Sequence, residues 1–312
     1  MYSHNTCSIW NKYSLTIVLF ERTIRGKMRY TKKQFEAEYP GDDACLESVF
    51  QERFGDLKYC PKCGAETKFY RVKKRQCYAC MHCSYQLFPL ADTIFRKTTT
   101  PLKDWFYAIY LFSVAKNGVS AKELERHLGV TYKTAWRMCR EIRRLMAEEM
   151  GQIGGDGEVV EVDETYIGGR KRGRNISFQD KQIVFGMVER NGSAKAQVVR
   201  TAGTRVLLPV ITDGVAKGTL INSDEYAPYK NLPKMGYSHT TVNHSKLEYA
   251  RGAAYTNTIE GFWSQLKRSL DGTYHAVSPK YLNFYVQEFV FRYNFRDVAV
   301  CPVLLERASK RV

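Results

Sequence analysis

The sequence predicts a multidomain chain in which a small cysteine-rich ribbon and a helical segment precede a C-terminal α/β domain. Two Cys-x-x-Cys pairs fall within residues 60–83, and three helix patterns with capping signals follow between residues 101 and 149. After the glycine-rich stretch 151–157 the apolar residues alternate, which is the period of a β-strand. A chain of 312 residues is long enough for two or three such units.

The charge balance indicates a polyanionic partner. Lys and Arg number 48 against 32 Asp and Glu, so the formal net charge is +16. Such an excess favours nucleic acid and disfavours a small-metabolite enzyme. The best candidate for a membrane span, residues 15–20, is far shorter than the roughly 20 residues that span a bilayer, and no signal-peptide cleavage site follows it. We therefore expect no membrane partner.

We expect four segments along the chain. They are an N-terminal arm at 1–34, a short helix plus the ribbon at 35–95, a helical segment at 96–150 and the α/β domain at 156–300. The arm has no helical or strand period before Met28, which indicates disorder or an upstream start; a genuine N-terminal element is the alternative. The apolar spacing over residues 34–54 predicts one amphipathic helix.

The cysteine cluster predicts a structural zinc site. Zn²⁺ prefers four tetrahedral ligands, and each Cys-x-x-Cys pair supplies two thiolates. The predicted ligands are Cys60, Cys63, Cys80 and Cys83. Cys77 is a rival for one position and His82 a weaker one, while ordinary buried cysteines are the alternative to any metal. A closed four-thiolate site stabilises a fold and takes no part in catalysis.

The helical segment has the proportions of a helix-turn-helix. Ser120 and Glu123 form a capping signal for a short helix ending at Gly129, and the next helix starts at Thr131 and reaches about residue 149. Cations recur along one face of this second helix at Lys133, Arg137, Arg140 and Arg144. Such a stripe suits contacts with DNA phosphates. The alternative is the solvated face of a structural helical bundle.

The C-terminal region alternates strand and helix patterns. Three strands are predicted at 158–166, 183–188 and 196–199, then a helix at 206–211, strands at 219–222 and 240–243, and helices at 256–270 and 279–294. Asn191-Gly192 is a hairpin signal between the second and third strands.

Three acids in this region predict a divalent-cation site. Asp163 lies on the first strand, Asp224 follows the 219–222 strand, and Glu260 lies on the long helix. Carboxylates from two strands and a packed helix can meet at one point, and Mg²⁺ or Mn²⁺ prefers such oxygen ligands. Two such ions activate a nucleophile and stabilise the leaving oxygen in phosphoryl transfer. The alternative is three unrelated surface acids.

Two more polar residues share the helix face of Glu260. Asn257 lies one turn before it, and Lys267 lies two turns after it. The row therefore places an amide, a metal ligand and a cation for DNA along one side of the long helix.

These motifs resemble those of bacterial insertion-sequence transposases, in the Merlin-related group with a zinc ribbon ahead of a DDE core. The matching strings within residues 35–296 are CPKCG, KTAWRMCREIR, VEVDETYIGG, HSKLEYARG, TNTIEGFWSQLKR and EFVFRYNFR. The resemblance implies a ribonuclease-H-like catalytic domain that cuts element ends and joins them to target DNA. Asp163 and Asp224 resemble the first two acids of the family, and Asn257, Glu260 and Lys267 resemble its helix positions. Asn257 and Glu260 could both be the third ligand; we prefer Glu260, because a carboxylate binds a divalent cation more strongly than an amide.

The resemblance also implies cofactors and partners. Mg²⁺ or Mn²⁺ is then catalytic and Zn²⁺ structural, and the partners are the terminal inverted repeats of the element and target DNA. Pairing of the two ends implies a homodimer or larger assembly, in the bacterial cytoplasm and on the nucleoid when bound to DNA. The chain departs from the family pattern at Cys77, an extra thiol, and at Asp92, where the family often has glycine.

Two other functions fit parts of the pattern. A zinc-ribbon regulator whose core domain only dimerises would bind DNA and cut nothing. A structure-selective nuclease of the same fold would hydrolyse DNA without joining ends.

Several further residues have expected roles. The loop cations Arg170, Lys171, Arg172 and Arg174 either hold DNA strands or are simply solvated. His244 is expected to form a local hydrogen bond, and Trp263 to pack beneath the acids. The aromatic residues of the last helix are expected in the core, namely Tyr281, Phe284, Tyr285, Phe289 and Phe291.

Overall fold

The computed structural model describes residues 30–147, 151–168, 181–241 and 256–310. Its N-terminal part starts with two helices, α1 (Lys32–Glu38) and α2 (Asp42–Phe54). The expected single helix over residues 34–54 is wrong. Tyr39 is no longer helical, because a residue that precedes a proline, here Pro40, disfavours the helical conformation. Gly41, the N-cap residue of α2, has an extended backbone.

A three-stranded antiparallel sheet forms the ribbon. Its strands are β1 (Phe69–Val72), β2 (Cys77–Cys80) and β3 (Gln86–Leu87), in that order. Tyr78 lies between Arg71 and Leu87 in the register, and its ring stacks on Phe50 of α2 with centroids 3.8 Å apart. One face of the ribbon sheet is therefore anchored on α2.

Three helices form the next unit, and two of them have the predicted caps; at the first, the predicted cap Thr100 is wrong, because Pro101 itself is the N-cap and makes no side-chain cap bond. The three helices are α3 (Leu102–Val114), α4 (Ala121–Leu128) and α5 (Tyr132–Met146). The Ser120 hydroxyl accepts a hydrogen bond from the Glu123 backbone N–H at 3.1 Å, and the Thr131 hydroxyl accepts one from Thr134 at 3.3 Å. Gly129 ends α4 with a φ of 65°, a left-handed conformation that favours glycine. Helices α4 and α5 thus have helix-turn-helix proportions.

The C-terminal part is a mixed α/β domain on a five-stranded sheet of order β6-β5-β4-β7-β8. Its elements are β4 (Val159–Ile167), β5 (Gln182–Glu189), β6 (Ala194–Val199), α6 (Thr204–Gly214), β7 (Leu220–Ser223), a 3-10 helix (Ala227–Met235), β8 (Ser238–Thr241), α7 (Asn257–Ser269) and α8 (Pro279–Asn294). Strands β4, β5 and β6 pair antiparallel, whereas β4, β7 and β8 pair parallel. The apolar periods predict this order of elements.

Apolar cores cover both faces of this sheet. Helix α6 and the 3-10 helix pack on one face around Val162 and Ile211. Helices α7 and α8 pack on the other face around Val184 and Val188. Because side chains alternate along a strand, the neighbours of Val162 on β4 point toward α7. Glu161 and Asp163 are those neighbours.

A C-terminal helix, α9 (Val300–Ser309), returns to the N-terminal helices. Its buried Cys301, Leu304 and Ala308 belong to the same core as α3 and α5. The predicted helices end at residue 294 and do not include α9. The chain therefore leaves the helical unit, forms the α/β domain and comes back to complete the first core. No helix in the described ranges is long and apolar enough to cross a membrane.

A buried ion pair joins the helical unit to the α/β domain. Arg143 of α5 and Glu288 of α8 pair at 2.9 Å, with side chains 5% and 0% exposed. Arg292 donates to the same carboxylate at 2.7 Å. Three rings surround the Arg143 guanidinium with centroids between 4.2 and 5.3 Å away, those of Tyr285, Tyr274 and Phe112. Burial alone would raise the pKa of Glu288, but the two arginines outweigh it and lower that pKa.

We expect Glu288→Gln to destabilise the protein by about 3 kcal/mol, because it leaves the buried Arg143 guanidinium without a carboxylate. The matched control is Glu306→Gln, which breaks the half-exposed pair between Glu306 and Lys310. That control should change the free energy of unfolding by less than about 0.5 kcal/mol. Urea denaturation of both variants at pH 7 measures the difference, and equal effects would contradict the importance of the buried pair.

The same variant has an expected pH dependence. Since the pKa of Glu288 is lowered in the folded protein, its ionisation stabilises the fold fully above its unfolded pKa of about 4.3. This contribution is lost as the pH falls through the folded-state pKa. The stability difference between wild type and Glu288→Gln should therefore shrink below about pH 4. A difference that persists unchanged in stronger acid would count against the ion pair.

Candidate functional site

The four predicted zinc ligands lie together. The Sγ atoms of Cys60, Cys63, Cys80 and Cys83 are all within 4.8 Å of one another. The Cys60–Cys83 and Cys63–Cys80 sulfur distances are 3.6 and 3.9 Å. Tetrahedral Zn²⁺ with Zn–S bonds of about 2.3 Å holds its sulfurs roughly 3.8 Å apart, so this set fits zinc. Cys77 is outside the set and lies buried on β2, opposite Val72.

Both Cys-x-x-Cys turns close in the same way. The backbone N–H of Gly64 donates to the Cys60 carbonyl at 2.9 Å, and that of Ser84 donates to the Cys80 carbonyl at 3.0 Å. Gly64 has a φ of 69°, where a glycine is favoured. Burial opposes ionisation of Cys80, but the backbone N–H groups of its turn and a nearby hydroxyl lower the pKa of this thiol to about 6. The turn around Cys80 therefore favours the thiolate form of this residue, whereas at Cys83 a backbone hydrogen bond is outweighed by burial and the neighbouring thiols, which raise the pKa of that thiol to about 12.

Asp163 lies on β4, and Asp224 directly follows the end of β7, the parallel neighbour of β4. The register pairs Glu161 of β4 with Asn222 of β7, and Asp163 and Asp224 each come two residues later in the chain. Neighbouring strands are about 4.8 Å apart, and residues two apart share a face of the sheet. The negative charge of Asp224 also contributes to the pKa of Asp163, in agreement with this placement. The structure thus brings these two predicted residues together.

The end of β7 is held by side-chain hydrogen bonds to β8. The Asn222 side-chain oxygen accepts from the Thr240 hydroxyl, and the Ser223 hydroxyl lies 2.9 Å from Nε2 of His239. The Asp224 carboxylate then accepts a hydrogen bond from the backbone N–H of Tyr226 at 3.0 Å. These contacts fix the direction in which the chain leaves the strand, and hence the position of Asp224.

Asp163 is an acid in an unfavourable electrostatic environment. Burial and the negative charges of Glu164 and Asp224 raise the pKa of its carboxyl to about 7, against the opposing hydrogen bond from Trp263. Burial also raises the pKa of Glu164, although the Tyr229 hydroxyl donates to it at 2.6 Å. Acids that raise one another's pKa in this way are stabilised by a bound cation.

The Trp263 indole holds the Asp163 carboxylate. Its Nε1–H donates to Asp163 Oδ2 at 2.9 Å. Gly186 lies opposite Asp163 in the β4–β5 register, and a Cβ there would be 2.5 Å from the indole ring. The glycine therefore makes the space in which the ring lies beside Asp163. Trp263 packs beneath the acids as predicted, and it also donates this hydrogen bond, which the sequence analysis did not foresee.

Glu161, which the sequence analysis did not single out, fixes the start of α7. It is fully buried and accepts hydrogen bonds from the backbone N–H groups of Thr258 and Ile259 at 2.8 and 3.0 Å. It also accepts from the Thr258 hydroxyl at 2.9 Å and pairs with Arg190 at 2.8 Å. The N-cap residue Thr256 forms no side-chain cap bond, so Glu161 caps the helix from the sheet. The sequence signal that could have identified Glu161 is its position two residues before Asp163, which puts both side chains on the same face of the strand.

Helix α7 presents the predicted polar row to solvent. Asn257, Glu260 and Lys267 are all exposed. Glu260 and Lys267 line a cavity of about 1050 Å³ together with Asp163, whereas Asp224 and Asn257 do not line it. The structure thus gathers one strand acid, the helix acid and the helix lysine around one cavity.

The three acids do not form a closed ligand set. Within the described part of the chain, only the four thiols form a group of three or more metal-ligating side chains whose ligand atoms all lie within 4.8 Å. At least one distance among Asp163, Asp224 and Glu260 therefore exceeds that value. Of the three, Asp163 and Glu260 line the same cavity.

Helix α5 carries the four predicted cations Lys133, Arg137, Arg140 and Arg144. Lys133 and Arg144 are exposed. The Arg137 guanidinium lies over the Trp105 ring at 5.7 Å. Arg140 and Arg144 both pair with Glu141, at 2.6 and 3.1 Å. Glu141 therefore offsets part of the positive charge of the stripe.

The remaining predictions have mixed outcomes. The loop cations Arg170, Lys171, Arg172 and Arg174 lie outside the described residues, as does His244. On α8, Phe289 and Phe291 are buried as expected, while Tyr281, Phe284 and Tyr285 are half-buried. Arg143 of α5 is buried in an ion pair with Glu288. The pattern of cations along α5 did not predict this buried position.

Comparison with known proteins identifies both regions of the chain. Residues 155–294 match the family model described as an ISXO2-like transposase domain, and residues 40–86 match a transposase zinc-ribbon domain. Together the two matches cover more than half of the chain. Each contains the residues discussed above, the acids in the first range and the four thiols in the second.

Two relatives in sequence, from Halobacterium salinarum and Haemophilus influenzae, agree with these matches. An uncharacterized protein in transposable element ISH50 of Halobacterium salinarum is 26% identical, over 78% of this chain and 87% of that protein. An uncharacterized transposase-like protein of Haemophilus influenzae is 28% identical, over 36% of this chain and 90% of that protein. A solved intasome of simian T-cell lymphotropic virus with PP2A regulatory subunit B56 gamma is 14% identical, with a TM-score of 0.29, over 54% of this chain and 63% of that chain.

The resemblance to insertion-sequence transposases is therefore confirmed. The matched zinc-ribbon region includes the four clustered thiols, and the matched transposase region includes the five-stranded sheet with its acids. The chain therefore carries an ISXO2-like transposase domain at residues 155–294, with a transposase zinc-ribbon domain ahead of it at residues 40–86.

Proposed function

We propose that this protein cuts the ends of its insertion sequence and joins them to target DNA by metal-dependent phosphoryl transfer. In this proposal the α/β domain is ribonuclease-H-like, and Asp163, Asp224 and Glu260 hold Mg²⁺ or Mn²⁺. The observation that supports the proposal is the position of Asp163 on β4 and of Asp224 directly after β7, the parallel neighbour of β4. The match to a transposase domain supplies DNA as the substrate.

The donor set suits a divalent cation. Asp163 and Asp224 repel each other in a partly buried position, and a cation relieves that repulsion. Divalent cations supply activation of the attacking oxygen and stabilisation of the leaving oxygen in phosphoryl transfer. Glu260 is the proposed third ligand because it lines the cavity of Asp163. Asn257 lies outside that cavity and offers a weaker amide ligand.

The other residues of the site position the acids and the DNA. Glu161 fixes the start of α7, and Trp263 orients the carboxylate of Asp163. Lys267, Arg268 and Lys181 line the same cavity and offer positive charge to the phosphates of a DNA strand. In this proposal, carboxylates that bind a cation and basic side chains that bind phosphate line one cavity, and cleavage of a phosphodiester needs both.

DNA recognition is proposed for α4 and α5. The exposed Lys133 and Arg144 suit phosphate contacts, and the helix-turn-helix proportions suit entry into a major groove. Joining both ends of an element needs two copies of the site, so we propose a homodimer or larger assembly on DNA. The proposed location is the bacterial cytoplasm, with the nucleoid when DNA is bound.

The direct test uses purified protein, labelled DNA from the borders of its own gene, a target plasmid and Mg²⁺. Wild type should nick the ends and form joined products. Asp224→Asn should lose both activities by more than about a hundredfold, because it removes one carboxylate charge at nearly constant shape. The matched control Glu225→Gln changes the adjacent exposed carboxylate and should stay within about twofold of wild type.

The other outcomes separate the rival functions. Binding of end DNA without cutting by wild type would indicate a regulator. Cutting without joining would indicate a nuclease. An equal loss in Glu225→Gln would contradict the assignment of Asp224 to the metal site.

We expect one zinc ion per chain, bound by the four clustered thiols. Cys80→Ser should lose the ion, because a serine hydroxyl does not supply the required thiolate. Cys77→Ala should retain it, since Cys77 lies outside the cluster. Elemental analysis of the purified proteins measures the zinc content, and loss of zinc from Cys77→Ala would contradict this ligand set.

We expect Glu161→Gln to loosen α7. The change keeps the side-chain volume but removes the charge that faces the helix N-terminus and Arg190, so stability should fall by about 2 kcal/mol. End cutting should fall at least about tenfold, because Glu260 and Lys267 move with the helix. The matched control Glu158→Gln, exposed at the start of the same strand, should change stability by less than about 0.5 kcal/mol. Urea denaturation and the cutting assay measure both effects, and wild-type values for Glu161→Gln would contradict the helix cap.

A further inference from the structure

The zinc ribbon exposes an unusual number of large apolar side chains. Tyr70, Met81 and Phe88 are 49%, 65% and 51% exposed, and Tyr59 and Tyr85 are exposed as well. Only four other large apolar side chains are exposed among the residues that the structure describes. A cluster of this kind marks an interaction surface.

The register places part of this cluster on one face of the ribbon sheet. Tyr78 of β2 stacks on Phe50 of α2, so the face of the ribbon sheet that carries Tyr78 is the inner face, packed against α2. Because side chains alternate along a strand, Ala79 and its cross-strand neighbours Tyr70 and Gln86 belong to the outer face. Phe88 directly follows the end of β3 and is exposed. Ala79 in the centre is buried, so the exposed side chains of the face lie around it.

This outer face is bordered by cations. Lys68, two residues before Tyr70, belongs to the same face and is exposed. Arg75, in the turn between β1 and β2, reaches the outer face and donates to the Gln86 side chain at 3.3 Å. Residues 58–88 contain seven Lys and Arg against a single acid, Glu66. A second copy of this face would repel the first, whereas a polyanion is attracted to it.

We propose that the outer face of the ribbon sheet binds unpaired DNA bases. Exposed rings on a flat sheet present their faces for stacking, and the bordering cations hold the phosphates of the same strand. Bases inside a duplex are already stacked, so the rings contribute only where the strand is open. The site is separate from the acids of the α/β domain, and the inference holds whether or not those acids cut DNA.

The test uses the full-length zinc-bound protein without added Mg²⁺, so that cleavage plays no part. Its probes are a fluorescent oligothymidylate strand and an abasic strand of equal length, which has the same phosphates and no bases. Wild type should bind the thymidine strand about tenfold or more tightly than the abasic strand. Tyr70→Leu and Phe88→Leu should each remove most of that preference and leave binding to the abasic strand unchanged. Zinc content confirms that each ribbon is folded.

Two control variants separate stacking from other effects. Tyr59→Leu changes an equally exposed ring outside the three-stranded sheet and should keep the preference for bases. Lys68→Gln should weaken the binding of both strands alike and reduce the salt dependence of binding. The proposal is overturned if Tyr70→Leu and Phe88→Leu keep the wild-type ratio, or if Tyr59→Leu loses it equally. It is also overturned if these two variants abolish self-association while strand affinity stays the same.

Discussion

The geometry of the candidate site depends on Glu161, a buried carboxylate that joins the first strand of the sheet to the helix of Glu260. Removing this charge from water costs free energy, and four donors offset that cost, three of them at the start of α7. The positive end of the helix and the carboxylate stabilise each other. Two residues further along the strand, Asp163 meets Trp263 of the same helix. Strand and helix are thus fastened at two points, and the proposed metal ligands on both elements keep a fixed relation.

A second buried charge pair fixes the helical unit of α3, α4 and α5 against the α/β domain. Arg143 comes from the predicted DNA-binding helix, and Glu288 comes from a helix packed on the sheet. Helix α9 adds an apolar connection, because its buried side chains complete the core of the N-terminal helices. The orientation of α5 relative to the acid-lined cavity is therefore set by packed side chains rather than by the linker between the two units. DNA held by α5 would meet the cavity in one defined orientation.

Sequence reasoning succeeded where local chemistry decides the structure. The two Cys-x-x-Cys turns, the Ser120 and Thr131 caps and the order of strands and helices all depend on residues close together in the chain. It failed where distant residues decide. The role of Glu161 depends on donors almost a hundred residues away, and Arg143 looked like one more surface cation until Glu288 was placed beside it. Helix α9 is stabilised by a core formed far earlier in the sequence, so its own pattern was not recognised.

We propose that Asp163 and Asp224 hold a divalent cation beside Glu260. Anomalous X-ray scattering from crystals soaked in Mn²⁺ tests this site, since manganese and zinc are distinguished by their absorption edges. We expect a manganese peak in contact with the carboxylates of Asp163 and Asp224, within ligand distance of Glu260, and a separate zinc peak among the four thiols. Zinc at the thiols with no manganese between the two aspartates, or manganese bound elsewhere, would contradict this proposal.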